Sequence, residues 1–332
     1  MTQSALLDMR HRDAVAPLPP GAVAPFWSVM IPTFNCGPYL RETLAAVLAQ
    51  DQGPERMQIE VVDDASDKDD PAVIVAELGR GRVQFTRQPR NLGHIGNFHI
   101  CLQRARGEVV HLLHGDDLVE PGFYEALEHG FRAAPDIGAA FCRSGFVDEN
   151  GSDIGSTEAL EERAGPLPDH LALLAGEQRI MTPSIAVRRS AYVALGGFDR
   201  RLVCSEDWEM WVRIAARYRV WYEPRPLAKY RMHLHSNTGR HIRSGDDMAY
   251  TRKAIDIFAG YLPPAMGRDV VPAARHAYAR AALEMAQRML GRGDRQAARA
   301  QLWQALRLEA SPGIIRAATR TMLASLAGGA RS

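Results

Sequence analysis

Val109-Val110-His111-Leu112-Leu113-His114-Gly115-Asp116-Asp117 sets a β-branched and apolar run ahead of a glycine and two adjacent carboxylates. The run has the length and composition of a strand buried on both faces, and the glycine ends it. Two neighbouring carboxylates repel each other unless a cation, protons or hydrogen-bond donors compensate. Magnesium is a natural partner, because it takes one or two protein carboxylates and fills its shell with water and phosphate oxygens. Solvated turns also favour Asp, so the pair gains meaning only from its surroundings.

Outward in both directions the same design recurs. Ser28-Val29-Met30-Ile31 is a short strand that Pro32 is expected to stop, and Thr33 follows it. Ile59-Glu60-Val61-Val62 runs into Asp63-Asp64-Ala65-Ser66, and Val83-Gln84-Phe85 supplies another short strand. Between them, Tyr39, Leu40, Leu44, Val47 and Leu48 repeat with helical spacing, a second helix runs through Val73-Ile74-Val75 to Leu78, and a third covers Ile95 to Ala105. Strands alternating with helices predict an α/β fold, a Rossmann-like, mostly parallel sheet with helices on both faces. Such sheets bind ligands outside the carboxyl ends of their strands, where Thr33, Asp63-Asp64 and Asp116-Asp117 all fall.

The rest of the chain is less regular. Strands are expected at Ala140-Phe141, Ile185-Ala186-Val187 and Val220-Trp221-Tyr222, with a helix from Asp207 to Tyr218. From about Met248 onward the pattern is helical and alanine-rich, broken at Gly291-Arg292-Gly293-Asp294 and again at Ser311-Pro312. The expected division is a flexible, proline-rich leader over 1–25, a main domain over 26–245 with halves 26–122 and 123–245, and a C-terminal helical appendage over 246–332.

Among 332 residues, 46% are hydrophobic and 24% charged, and the formal charge is +1. That is an ordinary globular composition without the basic excess of a nucleic-acid binder. Cys36, Cys101, Cys142 and Cys204 lie too far apart for a zinc site and are expected to be reduced, mostly buried thiols. No apolar stretch has signal-peptide or membrane-span length, so a cytoplasmic location is expected. The arginine excess of the C-terminal helices suits either a solvated face or peripheral contact with an anionic membrane.

The motifs in order are Val29-Met30-Ile31-Pro32-Thr33-Phe34-Asn35, Tyr39-Leu40, Gln50, Val61-Val62-Asp63-Asp64-Ala65-Ser66, Asn91-Leu92-Gly93, Gly115-Asp116-Asp117-Leu118 and Pro121. Gly196-Gly197-Phe198-Asp199, Glu206-Asp207-Trp208 and Tyr230-Arg231-Met232-His233 follow. As an ordered set over roughly residues 27–238 they resemble the family 2 glycosyltransferases, which have the GT-A fold. The resemblance implies an inverting enzyme that moves a sugar from a nucleoside diphosphate, most often UDP, onto a glycan or glycolipid acceptor in cell-surface assembly, with Mg²⁺ or Mn²⁺. It implies that Pro32, Thr33 and Phe34 line the base and ribose, that Asp64 accepts from the base, and that Asn91 and Asn97 shape the nucleotide loop. Asp116 then contacts the donor's ribose or sugar, Asp117 holds the metal, Arg231 offers a fork of donors to the diphosphate, and His233 reaches metal or phosphate. The second acid of the Glu206-Asp207 pair is the base.

Local explanations stand beside these roles. Pro32 and Asn91 suit ordinary turns, Asp63 suits a helix cap, and Glu206 or Asp207 suits the first turn of a helix. His114 occupies the place where the family commonly has an acid, either as a variant near the donor or as a strand-end histidine. Two other functions fit less well. A sugar nucleotidyltransferase presents a glycine-rich basic loop near its first strand, which Ile31-Pro32-Thr33-Phe34-Asn35 is not; a non-catalytic sugar-binding module would lack Asp117 or Asp207. The polar stretch 150–178 is expected to be an acceptor-side loop.

Overall fold

The structure, a computed structural model, describes residues 6–233 and 237–327; the outermost five residues at each end, within the expected leader and C-terminal region, lie outside it. Strands β1 (Trp27–Thr33), β2 (Met57–Asp63), β3 (Gln84–Arg87) and β4 (Val109–Leu112) alternate with helices α1 (Gly37–Leu48), α2 (Pro71–Gly79) and α3 (Gly93–Arg104). After β5 (Leu118–Val119) come α4 (Phe123–Ala133), β6 (Ile137–Val147), β7 (Asp153–Ser156), β8 (Gly165–Pro166), α5 (His170–Gly176), β9 (Ile185–Arg188), α6 (Arg189–Leu195), α7 (Glu206–Ala215) and β10 (Arg219–Arg231). Helices α8 (Asn237–Ser244), α9 (Asp246–Phe258), α10 (Pro264–Gly291), α11 (Arg295–Leu308) and α12 (Pro312–Ala327) complete the described chain.

The strands form one sheet in the order β3-β2-β1-β4-β9-β6-β10-β5. Its first four strands are mutually parallel, with Thr33 opposite Asp63 and Met30 opposite Leu112, so β1, β2 and β4 deliver their carboxyl ends to one edge. β9 runs antiparallel between β4 and β6, while β6 and β10 are parallel to each other. Side chains of β1 alternate strictly: Val29 and Ile31 enter one apolar cluster with Leu40, Leu44 and Val61, and Met30 enters the other with Val62, Val110 and Leu112. This two-faced burial is why the strands read as continuous apolar runs.

Pro32 does not end β1. Its carbonyl accepts from Gly115 N at 3.0 Å, on the side where β4 has already stopped, so its missing N–H leaves no ladder partner unpaired. β10 is likewise far longer than Val220–Tyr222; irregularities around Glu223 and Pro226 bend it, and its last residues pair with β6 as far as Val147.

Both ends of the chain pack against the main domain, and for the N-terminal end this changes an expectation. Residues 6–25 are not a free leader: Leu6 and Val15 are buried, and Arg12 is 7% exposed, donating to Leu6 O and to the Tyr261 hydroxyl. Arg12 lies 3.8 Å from Glu209, which also pairs with buried Arg213. The proline run itself stays largely exposed, and it is residues 6–15, whose composition gives no such signal, that are seated on the fold. The helices beyond residue 245 share the main core: Trp208 of α7 meets Phe258 of α9 and Tyr278 of α10 with ring centroids 4.9 and 5.0 Å apart.

Candidate active site

The first two strand ends are stitched together by the side chain of Asn35, whose amide carbonyl accepts from Asp67 N and Lys68 N, each at 3.0 Å. Asn35 itself has a φ of +53°, a left-handed conformation that Asn tolerates better than most residues. Thr33 is buried and its carbonyl takes the Asp64 N–H at 2.9 Å, whereas Phe34 stays 46% exposed at the strand tip. Asp63 is no helix cap. It accepts from Ser66 N and Oγ and pairs with Arg87 at 2.6 Å, and Asp70 caps α2 instead.

Asp64 is buried, accepts from Leu92 N at 2.7 Å, and its carbonyl takes the Asn91 side chain at 3.2 Å. Burial holds its carboxyl above the usual range. Asn97 fixes α3 to β2 by donating to Val62 O at 2.8 Å. Asp64 and Asn91 therefore shape one loop, directly beside the Thr33-Phe34 tip.

Gly115 is where the loop bearing Asp116-Asp117 crosses β1. A side chain there would start 2.9 Å from Cys36 Sγ and 3.0 Å from Thr33 Oγ1, so only glycine lets this loop sit so close. Asp117 is 1% exposed; its Oδ1 accepts from Arg231 N at 2.9 Å, but its Oδ2 has no hydrogen-bond partner among the described residues. His114 Nδ1 stands 3.5 Å from that oxygen, and its Nε2 is also buried without a partner. Ligand atoms of His114, Asp116 and Asp117 all lie within 4.8 Å of one another, and His233 Nε2 is 3.1 Å from Asp116 Oδ2. Burial and the Asp116 charge push Asp117 well above the carboxylate range. For Asp116, burial is outweighed by His233 and His114, which hold it low. A buried, unpartnered Asp117 oxygen, with Asp116 and His114 Nδ1 beside it, fits a divalent cation, whose charge would compensate what the protein leaves unpaired.

Arg231, expected at the diphosphate, is placed beneath this loop. Its guanidinium is buried, donates to Asp116 O at 2.9 Å and Glu42 Oε2 at 2.6 Å, and lies 4.6 Å from the Tyr39 ring centre. Arg231 and His233 thus bring the end of β10 onto the loop that carries both aspartates.

On a separate element, α7 opens with Glu206-Asp207 after Ser205, whose φ is +59°. Glu206 pairs with His94, at the start of α3, at 3.3 Å, joining the acid helix to the nucleotide loop. Burial alone would lower His94; the Glu206 carboxylate, reinforced by Asp207 and Asp64, raises it instead. Asp207 accepts from Gln178 Nε2 at 2.9 Å on both oxygens and from Trp208 N at 2.7 Å. Burial, then the adjacent Glu206 charge, raise Asp207 to about 7. A carboxyl poised near neutrality is suited to exchange a proton. His94 and Gln178 join the site without a sequence signal strong enough to find them, whereas His114, whose position left two readings open, lies beside Asp117.

The model of the family described as glycosyl transferase family 2 matches residues 28–196. An uncharacterized protein of Mycobacterium tuberculosis is 31% identical over 227 residues, 65% of this chain and 70% of that protein. An uncharacterized glycosyltransferase of Methanocaldococcus jannaschii is 26% identical over 211 residues, 63% of this chain and 71% of that protein. Among solved structures, S. aureus TarS 1–349 in complex with UDP-GlcNAc aligns with a TM-score of 0.59 at 14% identity, over 84% of this chain and 90% of that one. The mannosyltransferase PcManGT from Pyrobaculum calidifontis, in complex with GDP-Man and Mn²⁺, gives 0.57 at 22% identity, over 97% and 86%. These structural likenesses establish a GT-A fold with helices following it. The family match and the arrangement of strand-end acids lead to one conclusion: the chain belongs to glycosyl transferase family 2 and is a glycosyltransferase.

Proposed function

We propose that the protein is an inverting glycosyltransferase that moves a sugar from a nucleoside diphosphate to an acceptor hydroxyl, with UDP-sugars the first donors to test. The observation that carries this is Asp207 at the start of α7, its carboxyl raised to about 7 by burial and the Glu206 charge, on an element separate from the aspartate pair that follows β4. The donor base lies against Pro32, Thr33 and Phe34 with Asp64 and Asn91 around it, and Asp116 faces the ribose or sugar. His114, Asp116, Asp117 and His233 are the residues that would hold Mg²⁺ or Mn²⁺. A divalent cation bound there supplies Lewis-acid stabilisation to the departing diphosphate. Arg231 braces the loop through the Asp116 carbonyl and Glu42.

In the reaction the acceptor oxygen bonds to the anomeric carbon from the face opposite the nucleotide while the carbon–phosphate-oxygen bond breaks. Asp207 takes the hydroxyl proton, and the nucleoside diphosphate leaves with the electron pair. A single displacement of this kind inverts the anomeric centre. The acceptor we propose is a glycan or glycolipid of cell-surface assembly, entering beside the 150–178 stretch. Purified protein screened against UDP-, GDP- and dTDP-sugars with Mn²⁺ is expected to release nucleoside diphosphate with one donor class. Proton NMR of the product should show the opposite anomeric configuration; retention would refute the single displacement.

No helix among the described residues is long and apolar enough to cross a membrane. On the C-terminal helices, however, Asp294 pairs with Arg243 at 3.1 Å and Glu309 with His276 at 2.6 Å, leaving Arg295, Arg299, Arg307, Arg316 and Arg320 exposed without these acids. Trp303 is 60% exposed on the same helices, with Ile315, Met322 and Leu323 also in solvent. We propose peripheral contact with anionic lipid at the inner face of the membrane. Flotation with anionic vesicles is expected at low salt, weakening steeply as the Debye length falls to about 3 Å near 1 M, and absent with neutral vesicles. Equal recovery with both vesicle types would reject it.

A further inference from the structure

We propose that Gln178 is the positioning residue of the base and that the C-terminal helix α10 reaches the reaction through it. The proposal rests on Asp207 acting as the base. Gln178 lies between α5 and the Thr182–Ser184 turn, and its single amide nitrogen is 2.9 Å from each Asp207 oxygen. An amide N–H aimed between the two oxygens is shared by both, and this bifurcated bond ties the carboxylate to Gln178. Oδ1 also accepts from Trp208 N at 2.7 Å, which fills its remaining site. Oδ2 has only the Thr182 hydroxyl at 3.5 Å, at the limit of a hydrogen bond. Oδ2 is therefore the oxygen with a lone pair free for the acceptor's proton.

Gln178 is in turn held from behind. Its backbone N–H donates to the Tyr278 hydroxyl at 3.0 Å, and the Tyr278 ring lies 5.0 Å from that of Trp208, the residue following the base. One α10 side chain thus contacts both donors to Asp207. The C-terminal helices have a place in the chemistry that an appendage would not.

The electrostatic consequence has a definite sign. Burial and Glu206 favour the protonated carboxyl, whereas the Gln178 amide favours the charged form. Activity requires the charged form, so it rises with pH and levels off above about 7. Losing the amide should move that rise to higher pH.

The test is the pH profile of kcat/KM for wild type, Gln178→Met, Tyr278→Phe and Asp207→Asn, with thermal melts as a check of folding. Methionine keeps the volume of glutamine and removes its donors. Gln178→Met is expected to shift the acidic limb upward by about one unit, an approximately tenfold loss at pH 6 that shrinks to within about twofold at pH 9. Tyr278→Phe keeps the ring against Trp208 and should shift the limb the same way by less; if the methionine variant does not fold, this variant decides. A loss that is equal at every pH, or a profile superimposed on wild type, overturns the role of Gln178 while leaving the base in place. Substantial activity in Asp207→Asn instead overturns the assignment of the base itself.

Discussion

Asp207→Asn is expected to lower kcat by roughly 10² to 10⁴, the contribution of a base that assists proton transfer, while donor binding measured by calorimetry with metal present changes little. The asparagine keeps the shape and the Trp208 N–H contact but has no charge with which to take the acceptor's proton. Glu206→Gln is the informative companion. Glu206 is engaged with His94 at 3.3 Å, and burial is outweighed there by His94, which keeps the carboxyl low. It is a poor proton acceptor near neutrality and a good anchor, so its loss should loosen the nucleotide loop more than it slows the chemistry. Near-wild-type kcat in Asp207→Asn together with collapse in Glu206→Gln would transfer the role to Glu206.

Asp117→Asn is expected to cost at least on the order of 10³ in kcat, since stabilising charge on a leaving diphosphate is worth several kcal/mol and each tenfold corresponds to about 1.4 kcal/mol. A rise in melting temperature on adding Mn²⁺ should also disappear. The metal-free variant, by contrast, should melt at or above the wild-type temperature. Oδ2 of Asp117 is buried with no partner among the described residues, and burial with the Asp116 charge already favours its neutral form, which an asparagine reproduces in charge. Lost activity with unchanged metal-free melting separates a ligand from a folding defect. Full wild-type activity in excess chelator, with bound metal shown to be absent, would defeat the assignment.

The first half of the sheet was legible because its signals are local. β1, β2 and β4 are buried on both faces, and each is followed within a few residues by the polar groups it presents. Asp116, Asp117 and His233 meet as the motif order implies. What could not be read comes from partners far apart along the chain. Gln178 is one amide in a polar, irregular stretch, and its partners lie 29 and 100 residues away. Arg231 carries the expected fork of donors, but Glu42, 189 residues distant, takes one end of it. His114 is ambiguous in sequence because a histidine at a strand end has many uses. Only the approach of its Nδ1 to within 3.5 Å of Asp117 Oδ2 distinguishes them.

The way residues 6–25 lie on the fold bears on how this protein should be produced. Gly196 adopts a φ of +77°, and a side chain there would start 2.5 Å from Met9 and 3.1 Å from the Arg12 side chain, so the N-terminal segment is seated directly on the Gly196-Gly197 turn. Arg213 donates to the carbonyls of Leu195 and Gly197 from the other side, and its partner Glu209 is shared with Tyr261. A shortened gene beginning at Phe26, the natural choice from the proline-rich composition, would expose that turn to water and strip a cation from a buried carboxylate on the helix that bears Asp207. Expression vectors should keep the segment whole and put purification handles upstream of it.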